Sequence, residues 1–379
     1  MTPPLTTETA PLTHRHERLE ASLRESGLAA LALNPGPTLR YLTGLDFHLM
    51  ERPVVAFFAP DVPPTLVLPE LETGKLANLP FDLEAFPYGE DPDVWPSVFQ
   101  KAIKHAGLDG EQIGVEPLRM RVRELRLLEE VAPEARFVSG EEVVSALRSR
   151  KDAAEIGWMR EATVVAENAL QATLPQLQVG MTERELASEL VLQIFRAGGD
   201  GELPFLPIVC FGENTANPHA IPSDRALQVG NLVLIDWGAS VRGYFSDLTR
   251  VFAAGDVDDE LQRIAATVEE ANGAARDLAG PDVPASDVDR AARQVIEKAG
   301  YGEAFVHRTG HGLGLEAHEE PYIRDGNQQT LAEGMTFTIE PGIYLAGRGG
   351  VRIEDDMVVT ASGAESLSTL PRSLSQVAG

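Results

Sequence analysis

Apolar positions along this chain change period several times, and each change marks an element. Residues 1–12 are Pro/Thr-rich and are expected to form a disordered tail. Residues 14–27 (HRHERLEASLRESG) have helical spacing and stop at a glycine. The run 28–33 (LAALAL) reads as a buried strand, broken by Asn34-Pro35-Gly36-Pro37. Strand-and-breaker pairs follow at 54–60 and 65–70, then helices around 94–106 and 121–131. Together these predict a mixed α/β block ending near Val144. The charged stretch 146–152 (ALRSRKD) reads as a hinge, so the expected domains are 13–146 and 147–379.

The second block opens on a long amphipathic helix over 153–177 and another from Thr182, where Thr182 and Glu185 have capping-box spacing. From Leu203 the texture turns to short strands. Helices over 258–279 and 287–299, the latter entered through Ser286-x-x-Asp289, precede a second strand-rich region. The order helices–strands–helices–strands predicts two related halves. A length of 379 residues agrees with two domains.

Charge narrows the partners. With 58 acidic and 32 basic residues the net charge is −26, which argues against nucleic acid and anionic membrane surfaces. An apolar share of 43% is enough for globular packing. The single cysteine, Cys210, excludes an intramolecular disulfide and fits a reducing compartment. The opening residues have neither the basic start nor the apolar core of a signal peptide, and no apolar run nears the ~20 residues of a membrane span. A cytoplasmic protein is expected.

Two segments carry the strongest chemistry. In 232–252 (LVLIDWGASVRGYFSDLTRVF), Asp236 and Asp247 are symmetric about the point between Val241 and Arg242. A turn centred there sets them opposite each other, Cβ atoms ~5 Å apart, and a turn shifted by one residue makes them diagonal neighbours. In 337–356 (FTIEPGIYLAGRGGVRIEDD), Glu340 and Glu354 are symmetric about Gly347. Like charges facing each other inside an apolar sheet need a shared proton, a partner cation or a metal. For one hairpin, an edge pair facing solvent explains the pattern equally well. For two hairpins with a histidine cluster nearby, metal is the better account.

Four of the eight histidines fall in this block. His307, His311 and His318 lie within HRTGHGLGLEAH (307–318), whose glycines disfavour a helix and predict an irregular or strand-like segment. His219 follows Asn217-Pro218, just before the first hairpin. A single histidine is more often a hydrogen-bonded structural residue; three in one short Gly-rich run favour a site. Four carboxylates and an imidazole suit two hard or borderline divalent ions, Mn²⁺ first, with Co²⁺, Zn²⁺ or Fe²⁺ as alternatives. Two such ions activate water and polarise a carbonyl, which is hydrolase chemistry.

In order and context these motifs resemble the pita-bread metallopeptidases, the group of prolidase, aminopeptidase P and methionine aminopeptidase. The residues that carry the resemblance run from PFLPIVCFGENTANPH (204–219) through Asp236, Asp247, HRTGHGLG, IEPGIY (339–344) and VRIEDD (351–356). The resemblance implies an α+β pita-bread (creatinase/aminopeptidase-like) catalytic domain. It implies Asp236, Asp247, His311, Glu340 and Glu354 as metal ligands, with Asp247 and Glu354 bridging and Glu340 also the general base. His219 and His318 are implied to contact substrate and stabilise the tetrahedral intermediate, with His307 supporting. Arg352 is implied in substrate binding by orienting a carboxylate ligand. NPGPTLRYLTGL (34–45) and LRSRKDAAEIGWMREA (147–162) resemble the smaller α/β creatinase-type N-terminal domain, which methionine aminopeptidase lacks. A homodimer is implied on the same grounds.

The expected substrate is a small peptide with proline second. Dipeptide cleavage, as in a prolidase, is preferred; removal of the first residue from longer Xaa-Pro peptides, as in aminopeptidase P, is the alternative. A dipeptidase needs a cation for the free carboxylate. Some prolidases carry arginine directly after the HE-x-P proline. Here HEEP (318–321) is followed by Tyr322, the nearest arginine is Arg324, and His48 or Arg52 are further candidates. A non-enzymatic binding protein or a metal-free creatinase is disfavoured by the complete ligand set.

Overall fold

Strands Ala30–Leu33, Val55–Phe58 and Thr65–Pro69 form the centre of a six-stranded mixed sheet in the N-terminal part of the chain. The computed structural model describes residues 9–377. It divides after Arg148, two residues beyond the expected boundary. The three central strands and helices Trp95–His105 and Val122–Val131 are those the sequence predicts. Three further strands, Glu84–Tyr88, Gln112–Val115 and Arg136–Ser139, escaped it. They are short, and two occupy the sheet edges with half-exposed side chains that give no clear alternation. The core joins Val55, Phe57, Val67, Phe99, Ile103 and Leu128.

The first helix runs Thr9–Ser26, earlier than the expected start at residue 14. Pro11 sits near its start, where a missing N–H costs no intrahelical bond. Residues 1–8 of the expected disordered tail lie outside the described residues.

Residues 149–379 build two helix-and-sheet halves. In the first, α1 (Ala153–Thr173) and α2 (Glu183–Arg196) cover a sheet containing β1 (Ile208–Phe211), β2 (Leu232–Trp237) and β3 (Leu248–Ala253). In the second, α3 (Asp259–Leu278) and α4 (Ala285–Lys298) pair, followed by β4 (Gly310–Gly312), β5 (Glu319–Ile323), β6 (Thr336–Ile339), β7 (Gly342–Leu345), β8 (Gly349–Arg352), β9 (Asp355–Thr360) and β10 (Gly363–Ser366). This is the expected α+β pita-bread arrangement.

β2 and β3 are buried along their whole length, because each face meets a different core. Val233, Ile235, Leu248 and Phe252 pack with Leu170, Leu186 and Leu190 from α1 and α2. Leu234 and Val251 face Ile264, Val268, Phe337 and Ile353. By strand alternation, Asp236, Thr249 and Asp247 lie on this second face. The Thr182 capping box forms in both directions, but the expected Ser286 cap does not. α4 begins at Ala285, and its first amides donate to the carbonyls of Gln329 and Asn327. A neighbouring loop supplies the acceptors that a cap would give, leaving Asp289 free for another task. Among the described residues, no helix is long and apolar enough to cross a membrane.

Candidate metal and catalytic site

The register of the first hairpin is the shifted one. Asp236 pairs with Thr249 and Val241 with Tyr244, so the turn is centred between Arg242 and Gly243, with Arg242 in the left-handed region at φ 53°. Asp236 and Asp247 are therefore diagonal neighbours on one face. In the second hairpin Gly342 pairs with Arg352 and Ile339 with Asp355, which keeps the expected symmetry about Gly347. At the Glu340–Glu354 level the ladder opens. Pro341 interrupts it, Glu340 N–H donates to the Thr309 carbonyl at 2.7 Å, and Glu354 N–H donates to the Thr249 carbonyl at 3.1 Å. The latter bond is a bridge between the two halves' hairpins.

His311 is carried on the short strand β4, not on a helix. Gly310 permits this closeness: a Cβ there would lie 1.8 Å from the Thr338 carbonyl oxygen. His311 Nδ1 donates to the Gly312 carbonyl at 3.1 Å, which leaves Nε2 as the lone-pair side. That nitrogen lies 3.3 Å from Glu340 Oε1 and 3.8 Å from Asp247 Oδ2. Ligand atoms of Asp247, His311 and Glu354 all lie within 4.8 Å of one another. Asp236 gives one oxygen to the Arg352 guanidinium; its other oxygen, Oδ1, is buried without a hydrogen-bond partner. An oxygen-rich set with an orphaned carboxylate oxygen and an imidazole lone pair fits divalent cations.

Protonation follows burial. Desolvation raises Asp236, raises Asp247 and Glu354 well above the ordinary range, and lifts Glu340 to about 7. Facing carboxylates add to the rise at Asp247 and Glu354. His311 is held well below its ordinary value, by burial first and then by His318.

Supporting groups surround the cluster. Thr249 donates to Glu354 Oε2 at 2.7 Å and accepts from Arg352 Nε at 3.1 Å. Arg352 also donates to the Tyr344 hydroxyl at 3.0 Å, and that hydroxyl lies 2.8 Å from His307 Nε2. With Nδ1 donating to the Arg308 carbonyl at 2.7 Å and a pKa lowered by burial to about 4, His307 is neutral and accepts from Tyr344. His318 is exposed, its ring 4.0 Å from that of His311, with Nδ1 accepting from Arg308 at 3.4 Å. His219 is exposed on the loop ahead of the first hairpin. Thr249, Tyr344, Arg308 and Asp356, whose carboxylate accepts from Asp247 N–H at 3.0 Å, were not singled out from sequence. For Thr249 and Asp356 the signal available was weak, a polar residue two positions from a candidate ligand; Tyr344 and Arg308 had none of that kind.

Fold and site together define a hydrolase of the two-lobed, carboxylate-rich class. The chain belongs to metallopeptidase family M24, whose model matches residues 157–361, and it carries a Creatinase/Prolidase N-terminal domain over residues 15–150. It is 35% identical to the Xaa-Pro dipeptidase of Lactobacillus delbrueckii subsp. lactis, over 92% of this chain and 94% of that protein. The crystal structure of dipeptidase PepE from Mycobacterium ulcerans matches with a TM-score of 0.90 at 36% identity, covering 98% of this chain and 99% of the other. X-Pro aminopeptidase from Thermotoga maritima MSB8 is more distant, with a TM-score of 0.84, 31% identity and coverage of 96% and 99%.

Proposed function

We propose that this protein is an Xaa-Pro dipeptidase that works with two divalent ions, manganese first, held by Asp236, Asp247, His311, Glu340 and Glu354. The observation that carries this reading is the convergence of two hairpins' carboxylates and the His311 lone pair in one buried cluster. Bound there, the ions would supply Lewis acidity and an acidified water.

The chain's own residues then have distinct tasks. Glu340, the most exposed of the four carboxyls at 16%, takes the proton of the attacking water. As a carboxylate within hydrogen-bond reach of that water, it can accept the proton and return it to the departing proline nitrogen. The water oxygen bonds to the scissile carbon, and the C–N bond breaks. His318, with Nδ1 accepting from Arg308, keeps Nε2–H to donate to the developing oxyanion, and His219 contributes from its loop. His307 supports Tyr344 and so Arg352, which orients Asp236. The reading extends to a cytoplasmic homodimer, supported by Cys210 as a buried free thiol and by family resemblance.

The test is hydrolysis of Ala-Pro and Ala-Pro-Ala after chelation and Mn²⁺ reloading. Efficient cleavage of Ala-Pro alone is expected. Preferential cleavage of Ala-Pro-Ala would replace the reading with an aminopeptidase P, and no cleavage of either by metal-loaded protein would end it.

A further inference from the structure

We propose that Arg308 receives the substrate's C-terminal carboxylate and thereby sets the preference for dipeptides. This rests on the Xaa-Pro reading above and adds the group that the sequence failed to locate. Arg324, the nearest arginine after HEEP, is exposed and donates to the Asp325 carbonyl at 3.0 Å, so it is turned toward its own loop. The ring of Tyr322 instead lies beneath Arg308, whose guanidinium carbon is 4.7 Å from the ring centroid.

Arg308 is half-buried and, among the described residues, has no carboxylate partner. Its neighbours differ: Arg293 is held by Asp289 and Arg352 by Asp236. In a chain of net charge −26, a guanidinium left with an imidazole and an aromatic face is set up for an anion it does not own. One N–H points to His318, and the planar fork keeps others for a bidentate carboxylate.

The base of the side chain is fixed on both sides. Arg293 donates to the His307 carbonyl at 3.0 Å. Thr309 is held by Asp289 through its N–H at 3.1 Å and its hydroxyl at 2.8 Å. The reach is also right. His318 separates Arg308 from His311, and in an Xaa-Pro dipeptide the terminal carboxyl carbon lies only about 3 Å from the scissile carbon.

The experiment compares Ala-Pro with Ala-Pro-amide, which differ in that carboxylate, in Mn²⁺-loaded wild type, Arg308→Met and Arg308→Lys. Wild type is expected to favour Ala-Pro. Arg308→Met is expected to raise KM for Ala-Pro about 10- to 100-fold, with a smaller change in kcat, and to bring the two substrates toward equal kcat/KM. Arg308→Lys keeps the charge without the fork and falls between, which serves also if the Met variant does not fold. Equal losses on both substrates would make Arg308 a prop for His318 and overturn the proposal, as would an unchanged preference or a wild type indifferent to the carboxylate. Wild type that cleaves neither substrate would remove the Xaa-Pro reading itself; wild type that cleaves Ala-Pro with the preference intact in Arg308→Met removes only the role of Arg308.

Discussion

Thr249 links the two hairpins through a single hydroxyl. It donates to Glu354 Oε2 and accepts from Arg352 Nε, and Arg352 holds Asp236. Thr249→Val keeps the shape and the strand preference but removes both bonds, leaving a buried guanidinium N–H without an acceptor. The expected cost is about 1–3 kcal/mol of stability and about 10- to 100-fold in metal affinity. Thermal unfolding and Mn²⁺ titration measure the two separately; unchanged affinity would show that Glu354 orients itself. The five candidate ligands were legible because each is a charge or imidazole among apolar or glycine residues. Thr249 was not, since a threonine in a strand is the commonest of β residues and its bonds depend on a strand 105 positions away. Arg308 was equally hidden: inside HRTGHG it looks like any polar residue beside a histidine.

At the scale of elements, hairpin symmetry told more than helix caps. Symmetric spacing sets Glu340 and Glu354 opposite each other as found, and of the two turns it leaves open for Asp236 and Asp247 the structure has the one-residue shift, which a left-handed Arg242 makes possible. The Ser286 cap failed because tertiary carbonyls took its place. A similar tertiary substitution gives Glu183 its role. At the first turn of α2 it reads as a solvated helix start, yet it is fully buried. It accepts from Phe211 N–H at 2.7 Å, Asn214 Nδ2 at 2.9 Å, Ser223 N–H at 2.9 Å and Ser223 Oγ at 2.6 Å. One carboxylate thus ties down both ends of the loop bearing His219. Glu183→Gln exchanges an acceptor oxygen for a donor facing donors, at an expected cost of about 1–3 kcal/mol. Hydrogen exchange across 211–223 should quicken more than in the β2–β3 ladder. Uniform loss of protection would mean that Glu183 supports the half as a whole and not this loop.

For the whole molecule, the buried site is coupled to pH through the protons that a cation must displace. Glu340 stands at about 7 through burial, and Asp236, Asp247 and Glu354 are raised above their ordinary range. Each raised carboxyl favours the cation-free fold while protonated. That contribution is complete below the ordinary value and is lost as pH rises through the raised one. His307, lowered to about 4, has the opposite sign: its contribution is present above its ordinary value and is lost as pH falls toward 4. Cation-free stability is therefore a poor reporter, since the two trends offset each other. Cation binding is cleaner. His311 is held well below its ordinary value, so it is already neutral and presents its lone pair, while the carboxyls must give up protons. Mn²⁺ affinity is expected to be at least about tenfold weaker at pH 6 than at pH 8, the direction set by one or more displaced protons. Calorimetric titration of chelator-stripped protein, in buffers of different ionisation enthalpy, measures affinity and proton release together. Greater proton release at pH 6 than at pH 8 is expected; pH-independent affinity without proton release would mean that the raised carboxyls do not face the ion.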